Sequence, residues 1–207
     1  MESSATSDLE DPRRQVILEA AAELFFREGY AATSIDAIIA RTGGSKRTIY
    51  ALFGNKKGLF EALVRENSQR LFAGLAPGMT ETAPLETVLR RFAEQLLDLL
   101  MRPRTVAVFR IAVSEAQRFP DLAQSFNALG PGPARLWLAD VLARAQLQGE
   151  IRHADPTALT DQFFGLIRGN LYFDLVLGLR TPPDREELAG IARAATSVFL
   201  DGLRPDR

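Results

Sequence analysis

The chain has 207 residues, 46% hydrophobic and 25% charged, with a formal net charge of −1. That balance is globular and excludes a protein that coats nucleic acid or membrane by bulk charge, while leaving room for a local patch. With no cysteine present, disulfides and thiolate metal sites are excluded, which fits a reducing compartment.

The N-terminal MESSATSDLEDP is polar and acidic, so residues 1–11 read as a frayed tail rather than a targeting signal. A first helix is predicted from Pro12 to Glu28, with Ile17, Ala20, Ala21, Leu24 and Phe25 on its apolar face and Gly29 as terminator. Thr33-Ser34-Ile35-Asp36 then has capping-box spacing, with Thr33 as N-cap. The short second helix turns Ile35, Ile38 and Ile39 inward and stops at Thr42-Gly43-Gly44. A third helix is predicted from Ser45 to Phe53, and a fourth from Asn55 to Phe72 on Leu59, Phe60, Leu63, Val64 and Leu71.

The Gly/Pro/Thr-rich stretch 74–84 reads as an internal linker. Helices are predicted beyond it near 85–101, 104–117, 120–129 and 133–148, then from Thr157 to Leu179, and last after Pro182-Pro183-Asp184. Strand signals are nearly absent, so the expected fold is all-α. No apolar run reaches the ~20 residues of a membrane span; the richest, LYFDLVLGL at 171–179, carries Asp174. No membrane partner and a cytoplasmic location are expected.

The segment GGSKRTIYALF, residues 43–53, puts Lys46 and Arg47 in the first turn of a helix, and Asn55-Lys56-Lys57 repeats the arrangement at the next. The partial positive charge of a helix N-terminus disfavours cations there. Between Arg41 and Lys57 stand five Lys or Arg and no Asp or Glu, so of the overall −1 the rest of the chain carries −6. A phosphate at such a start reverses the sign of the effect, since backbone N–H groups, dipole and side chain then converge on one anion. Helical spacing puts Ile49, Leu52 and Phe53 on one side of the third helix and Arg47, Thr48, Tyr50 and Ala51 on the other or its flanks. Helix, glycine turn and helix is the helix-turn-helix layout, whose second helix enters the major groove. Solvation of an exposed face is the alternative reading of the same cations.

These residues also carry a resemblance. The landmarks Ile17-Leu18-x-Ala20-Ala21-x-x-Leu24-Phe25, Gly29-Tyr30, Thr33-Ser34-Ile35 and Ser45-Lys46-x-Thr48-Ile49-Tyr50-x-x-Phe53-x-x-Lys56-x-x-Leu59-Phe60 resemble the DNA-binding domain of TetR-family bacterial transcriptional regulators over residues 13–64. The resemblance implies DNA contacts at Thr33, Ser45, Lys46, Arg47, Thr48, Tyr50 and Lys56, with Ser45, Tyr50 and Lys56 mainly on phosphates and Arg47 and Thr48 reaching bases. Gly44 stands where the family has an apolar residue, which predicts a looser turn, and Ala51 and Leu52 replace larger side chains. It further implies a helix-turn-helix domain at 12–56 and a helical ligand-binding and dimerisation domain at 57–207. The implied activity is that of a repressor, homodimeric on an inverted-repeat double-stranded operator and released by a small-molecule effector.

FRIAVSEAQRFPDLAQSF (109–126) and QFFGLIRGN (162–170) resemble one C-terminal subtype of the family. Polar groups stranded on apolar helices mark a pocket, because burying them costs unless something pairs with them. Gln95, Arg110, Arg168 and Tyr172, walled by Phe92, Phe109, Trp137 and Phe164, are the candidates, with an Arg168–Asp174 ion pair as the alternative for that arginine. Gly165 and Gly169, with Ile191, Ala195 and Val198 of the last helix, are candidates for a dimer face built as a four-helix bundle. His153, the one histidine, falls in the polar loop GEIRHADP and is expected to be solvated. No nucleophile–base pair, paired carboxylates, phosphate loop or metal spacing appears, so neither enzyme activity nor a cofactor is expected. Two other readings remain: an architectural or activating DNA-binding protein, and a helical ligand-binder that has lost DNA binding.

Overall fold

The computed structural model describes residues 11–73, 75 and 83–203. Most of the N-terminal tail and of the expected linker at 74–84 lies outside the described residues. Among the described residues there are ten helices: α1 (Pro12–Glu28), α2 (Ile35–Thr42), α3 (Lys46–Phe53), α4 (Lys56–Ala73), α5 (Leu85–Leu100), α6 (Pro103–Ser114), α7 (Pro120–Leu129), α8 (Pro131–Leu147), α9 (Pro156–Leu177) and α10 (Arg185–Asp201). The all-α expectation holds.

Local chemistry sets the ends of these helices. Asp11 caps α1 by accepting the Arg13 N–H at 2.9 Å, ahead of Pro12 in the first turn. Ser45 caps α3 through the Thr48 N–H, Asn55 caps α4 through the Gly58 N–H at 3.0 Å, and Asp184 caps α10 through the Glu187 N–H at 2.9 Å. The cap of α2 is Ser34, which accepts the Ala37 N–H at 3.0 Å. This corrects the expectation of Thr33: its hydroxyl donates to the Gly29 carbonyl at 2.8 Å instead, closing the loop between α1 and α2.

The chain divides into two compact units, one taking in the chain up to Glu66 with Ala107–Leu129, the other Asn67–Val106 with the chain from Gly130 onward. The first therefore reaches beyond the helix-turn-helix boundary expected at residue 56, and tertiary contacts explain why. The Tyr30 ring lies 5.2 Å from Phe25, 6.0 Å from Phe60 and 5.5 Å from Phe119, and the Ala31 N–H donates to Glu115 at 3.3 Å. Around them Leu18, Phe25, Ile38, Leu59, Phe60 and Leu63 form a core with Val108, Ile111 and Leu122. Truncating a phenylalanine in such a core costs about 3–5 kcal/mol.

In the second unit α5 and α9 pack with α10, α8 packs with α9, and α5 meets α9. Phe92 is fully buried and stacks on Trp137 at 5.1 Å, with Phe164 edge-on to it at 5.8 Å. Phe163 and Phe199 close the α9–α10 seam at 4.8 Å. Within α9, Gly169 leaves helical geometry (φ 45°, ψ −152°), a left-handed backbone that glycine supplies without strain.

Candidate nucleic-acid interface

Eight residues form α3, and only Ile49 and Phe53 are buried, so one narrow seam holds it and the rest faces out. Ser45, Lys46, Arg47 and Tyr50 are exposed, Tyr50 by 47%, and Thr48 is half-buried, its hydroxyl 3.1 Å from that of Ser45. Leu52, expected on the buried side, is exposed by 38%. It lies at the edge of the seam, beyond the reach of the core that takes Ile49 and Phe53. Ala51 is exposed as expected.

The cations do not all share that freedom. Arg41 pairs with Glu23 at 2.6 Å, Lys46 with Asp36 at 2.9 Å, and Lys57 with Asp121 at 3.0 Å and Glu61 at 3.6 Å. Hydrogen bonds to Asp36 and to Asp121 raise the pKa values of Lys46 and Lys57, and the latter bond lowers that of Asp121. Every partner acid lies outside residues 41–57, so a count of charge along the segment misses all of them. Arg47 has no hydrogen bond or ion pair among the described residues. It is the cation of the five that α3 presents uncommitted.

Lys56 is used differently again. Its ammonium donates to the carbonyls of Tyr30 at 2.7 Å, Thr33 at 2.9 Å and Ala31 at 3.2 Å, and lies 4.6 Å from the centre of the Tyr30 ring. An ammonium has three donors, and all three are spent on the loop between α1 and α2. Burial lowers its pKa, and the carbonyls and the ring compensate the cation for the water it has lost. In the chain alone the ammonium pins the loop that sets α2, a use that the expected phosphate contact does not include. Beneath it, burial first and then the charges of Asp121, Glu115 and Glu61 push the Tyr30 phenol up to about 12.

Thr33, also expected at the DNA, faces inward. It is 1% exposed and its hydroxyl is committed to Gly29, while exposed Ser34 stands at the opening of α2. Sequence reasoning missed Ser34 because Thr and Ser both serve as caps, Ser the better of the two, and the capping-box spacing to Asp36 favoured Thr33. It also missed the two arginines that α1 brings to this region: the Arg14 guanidinium lies 5.4 Å from the Phe53 ring centre, and that of Arg13 lies over Gly44.

The candidate pocket residues fall into three places. Phe92, Trp137 and Phe164 form the aromatic cluster of the second unit, and the Arg168 guanidinium lies 5.8 Å from the Phe164 ring centre with its Nε donating to the Phe164 carbonyl at 3.2 Å. Burial lowers the Arg168 pKa first and the charge of Arg135 lowers it further; burial raises that of Tyr172. Gln95 instead lines an open groove of about 370 Å³ with Glu94, Asp98, Arg185, Leu188 and Ala189. Phe109 and Arg110 belong to the first unit, where Phe109 packs on Phe126 at 5.9 Å. The acid paired in this neighbourhood is Asp161, which meets Arg135 at 3.3 Å, rather than Asp174.

Of the dimer candidates, Gly165 and Gly169 are exposed, Val198 is 61% exposed, and Ile191 is half-buried. Ala195 is 6% exposed within the chain itself, on the face of α10 that packs inside the unit. Leu166, Phe173 and Leu177 add large exposed apolar side chains on α9. His153 is exposed.

Residues 17–63 match the family described as bacterial regulatory proteins, tetR family, and residues 87–202 match the C-terminal domain of AefR-like transcriptional repressors. The flavonoid-responsive regulator FrrA, a solved structure, is 33% identical, with 94% of this chain and 98% of that one covered and a TM-score of 0.75. The uncharacterized HTH-type transcriptional regulator YvkB of Bacillus subtilis is 28% identical over 94% of this chain and 99% of its own. The HTH-type transcriptional repressor ComR of Escherichia coli is 29% identical over 75% and 76%. Regulators of this kind bind DNA operators and act as dimers. With both its N-terminal and its C-terminal segment matched, the chain belongs to the TetR family of bacterial transcriptional regulators.

Proposed function

We propose that this DNA-binding regulator is a cytoplasmic repressor that occupies an inverted-repeat operator as a homodimer and leaves it when a small molecule binds the C-terminal unit. The observation that carries the reading is α3 itself: a helix capped by Ser45, held by two buried residues, with Arg47 uncommitted and Tyr50 exposed. Arg47 and Thr48 read base edges, and Ser45 and Tyr50 hold phosphates. Selection of bound duplexes from a random pool tests it. The expected product is a short inverted repeat whose half-sites present major grooves ~34–36 Å apart. Enrichment without symmetry, or without any sequence preference, would sink the operator reading.

The dimer forms through α9 and α10, whose exposed Leu166, Phe173, Leu177 and Val198 are apolar side chains that a partner covers. Phe173→Glu with Val198→Glu yields a monomer by light scattering; a dimeric mass for that double variant rejects this face. The effector sits against Phe92, Trp137 and Phe164, with Arg168 and Tyr172 beside them. FrrA is described as flavonoid-responsive, so planar polyphenols are the first probes, and Trp137, the sole tryptophan, reports their arrival by fluorescence quenching. Release of DNA requires that the effector prefer one of two conformations of the dimer, since equal affinity for both shifts nothing. A probe that quenches Trp137 yet leaves operator affinity unchanged is not the effector.

A further inference from the structure

Gly44 has φ +99°, and a Cβ at that position would collide with the Arg13 Nη2 atom and lie 3.6 Å from its Cζ. The guanidinium of Arg13 therefore fills the space over the α2–α3 turn that any side chain at position 44 would claim. Arg13 belongs to the first turn of α1, where its own N–H is fixed by Asp11. It is exposed, and its guanidinium makes no ion pair or hydrogen bond among the described residues. The next residue after Gly44 is Ser45, the cap of the reading helix, followed by Lys46, whose ammonium is committed to Asp36. The turn that the sequence marks as loose is thus occupied from another helix, by a cation with all its donors to offer.

We infer that Arg13 is a DNA-phosphate contact at the opening of the reading helix, admitted to that position by the missing side chain of Gly44. The inference rests on the DNA-binding reading above. A guanidinium suits the task because its planar fork meets two phosphate oxygens at once, stays charged at every physiological pH and is weakly hydrated. It also supplies at this turn the free positive charge that Lys46 keeps for Asp36.

The test compares wild type with Arg13→Gln, which keeps a stem and hydrogen-bonding head without the charge, and Arg13→Lys, which keeps the charge. Each binds the selected operator duplex across a salt series, and each is melted without DNA. The expected result is a slope of log affinity against log salt shallower by about 0.9 per subunit in Arg13→Gln. Affinity near 0.1 M salt should fall on the order of tenfold per subunit by the same relation. Arg13→Lys recovers most of the slope, and the melting temperatures agree. A wild-type slope in Arg13→Gln overturns the inference, whether or not that variant melts lower, because a residue that only fills the turn leaves counterion release untouched. Wild type that itself binds without salt dependence overturns the DNA-binding reading instead.

Discussion

The openings of α3 and α4 look alike in sequence, a polar cap followed by cations, and the fold uses them in opposite ways. At α3, Arg47 stands clear and Lys46 holds one exposed acid; at α4, Lys56 is spent on three carbonyls and Lys57 on two carboxylates. The difference is what lies opposite each helix start. The first turn of α4 faces the α1–α2 loop, whose carbonyls leave the helical ladder and need donors. Around α3 the acceptors within reach are fewer, and the face stays open for an anion from outside. A cation near a helix start is therefore a structural clamp or a ligand contact according to its neighbours, not its position in the chain.

The largest effect should come from breaking the clamp. Lys56→Met removes three charge-assisted bonds and strands their carbonyls, so a loss of about 3 kcal/mol or more is expected in urea unfolding at fixed protein concentration. A stability change within about 1 kcal/mol, with a shallower salt slope for DNA, would return Lys56 to the phosphate role. Next comes Arg47→Ala, for which discrimination between the selected operator and a mismatched duplex should fall about 10- to 100-fold with little change in melting temperature. Unchanged discrimination would move base reading off this residue.

A third effect is alkaline. Tyr30 titrates up to about 12 in the folded chain against 10.0 for the free group. Below pH 10.0 both states keep its proton; between there and about 12 the unfolded chain alone releases it. Stability therefore falls as pH rises through that window. Tyr30→Phe should remove this part of the alkaline loss, measured as unfolding free energy at pH 9 against pH 11; an unchanged difference would place the loss elsewhere. The smallest effect sharpens the comparison from the other side. Asp36→Asn releases Lys46 and should strengthen operator binding a few-fold at low salt, with a slope steeper by up to about one unit per subunit. Weaker binding by that variant would mean that the Asp36–Lys46 pair itself orients α3.

Most of the helices and their caps could be read in advance because those signals are local. Asp11, Ser45, Asn55 and Asp184 each meet an N–H two or three residues away, and the apolar spacing of α1, α3 and α4 names their buried faces. The chemistry of the α3 face was legible for the same reason. What failed to show were the partners: Glu23, Asp36 and Asp121 lie outside the basic segment, and the Tyr30, Ala31 and Thr33 carbonyls that bind Lys56 carry no side-chain signature at all. Thr33 was misread as the cap of α2 because capping-box spacing fits either hydroxyl of Thr33-Ser34 to within one residue, and only burial separates them. The aromatic cluster was nameable residue by residue, but not that Gln95 lines a groove with Glu94 and Arg185 or that Phe109 and Arg110 belong to the first unit.

By itself the sequence determined the all-helical chain, most of its helix ends, the outward side of α3 and the family motifs, since each is written in residues within a turn or two of one another. Tertiary structure alone decided which cations remain free, because pairing depends on groups brought together from distant positions. It placed Arg13 over Gly44 and tied Lys56 to a loop some two dozen residues away, contacts whose electrostatic strength falls with a separation in space that chain order does not encode.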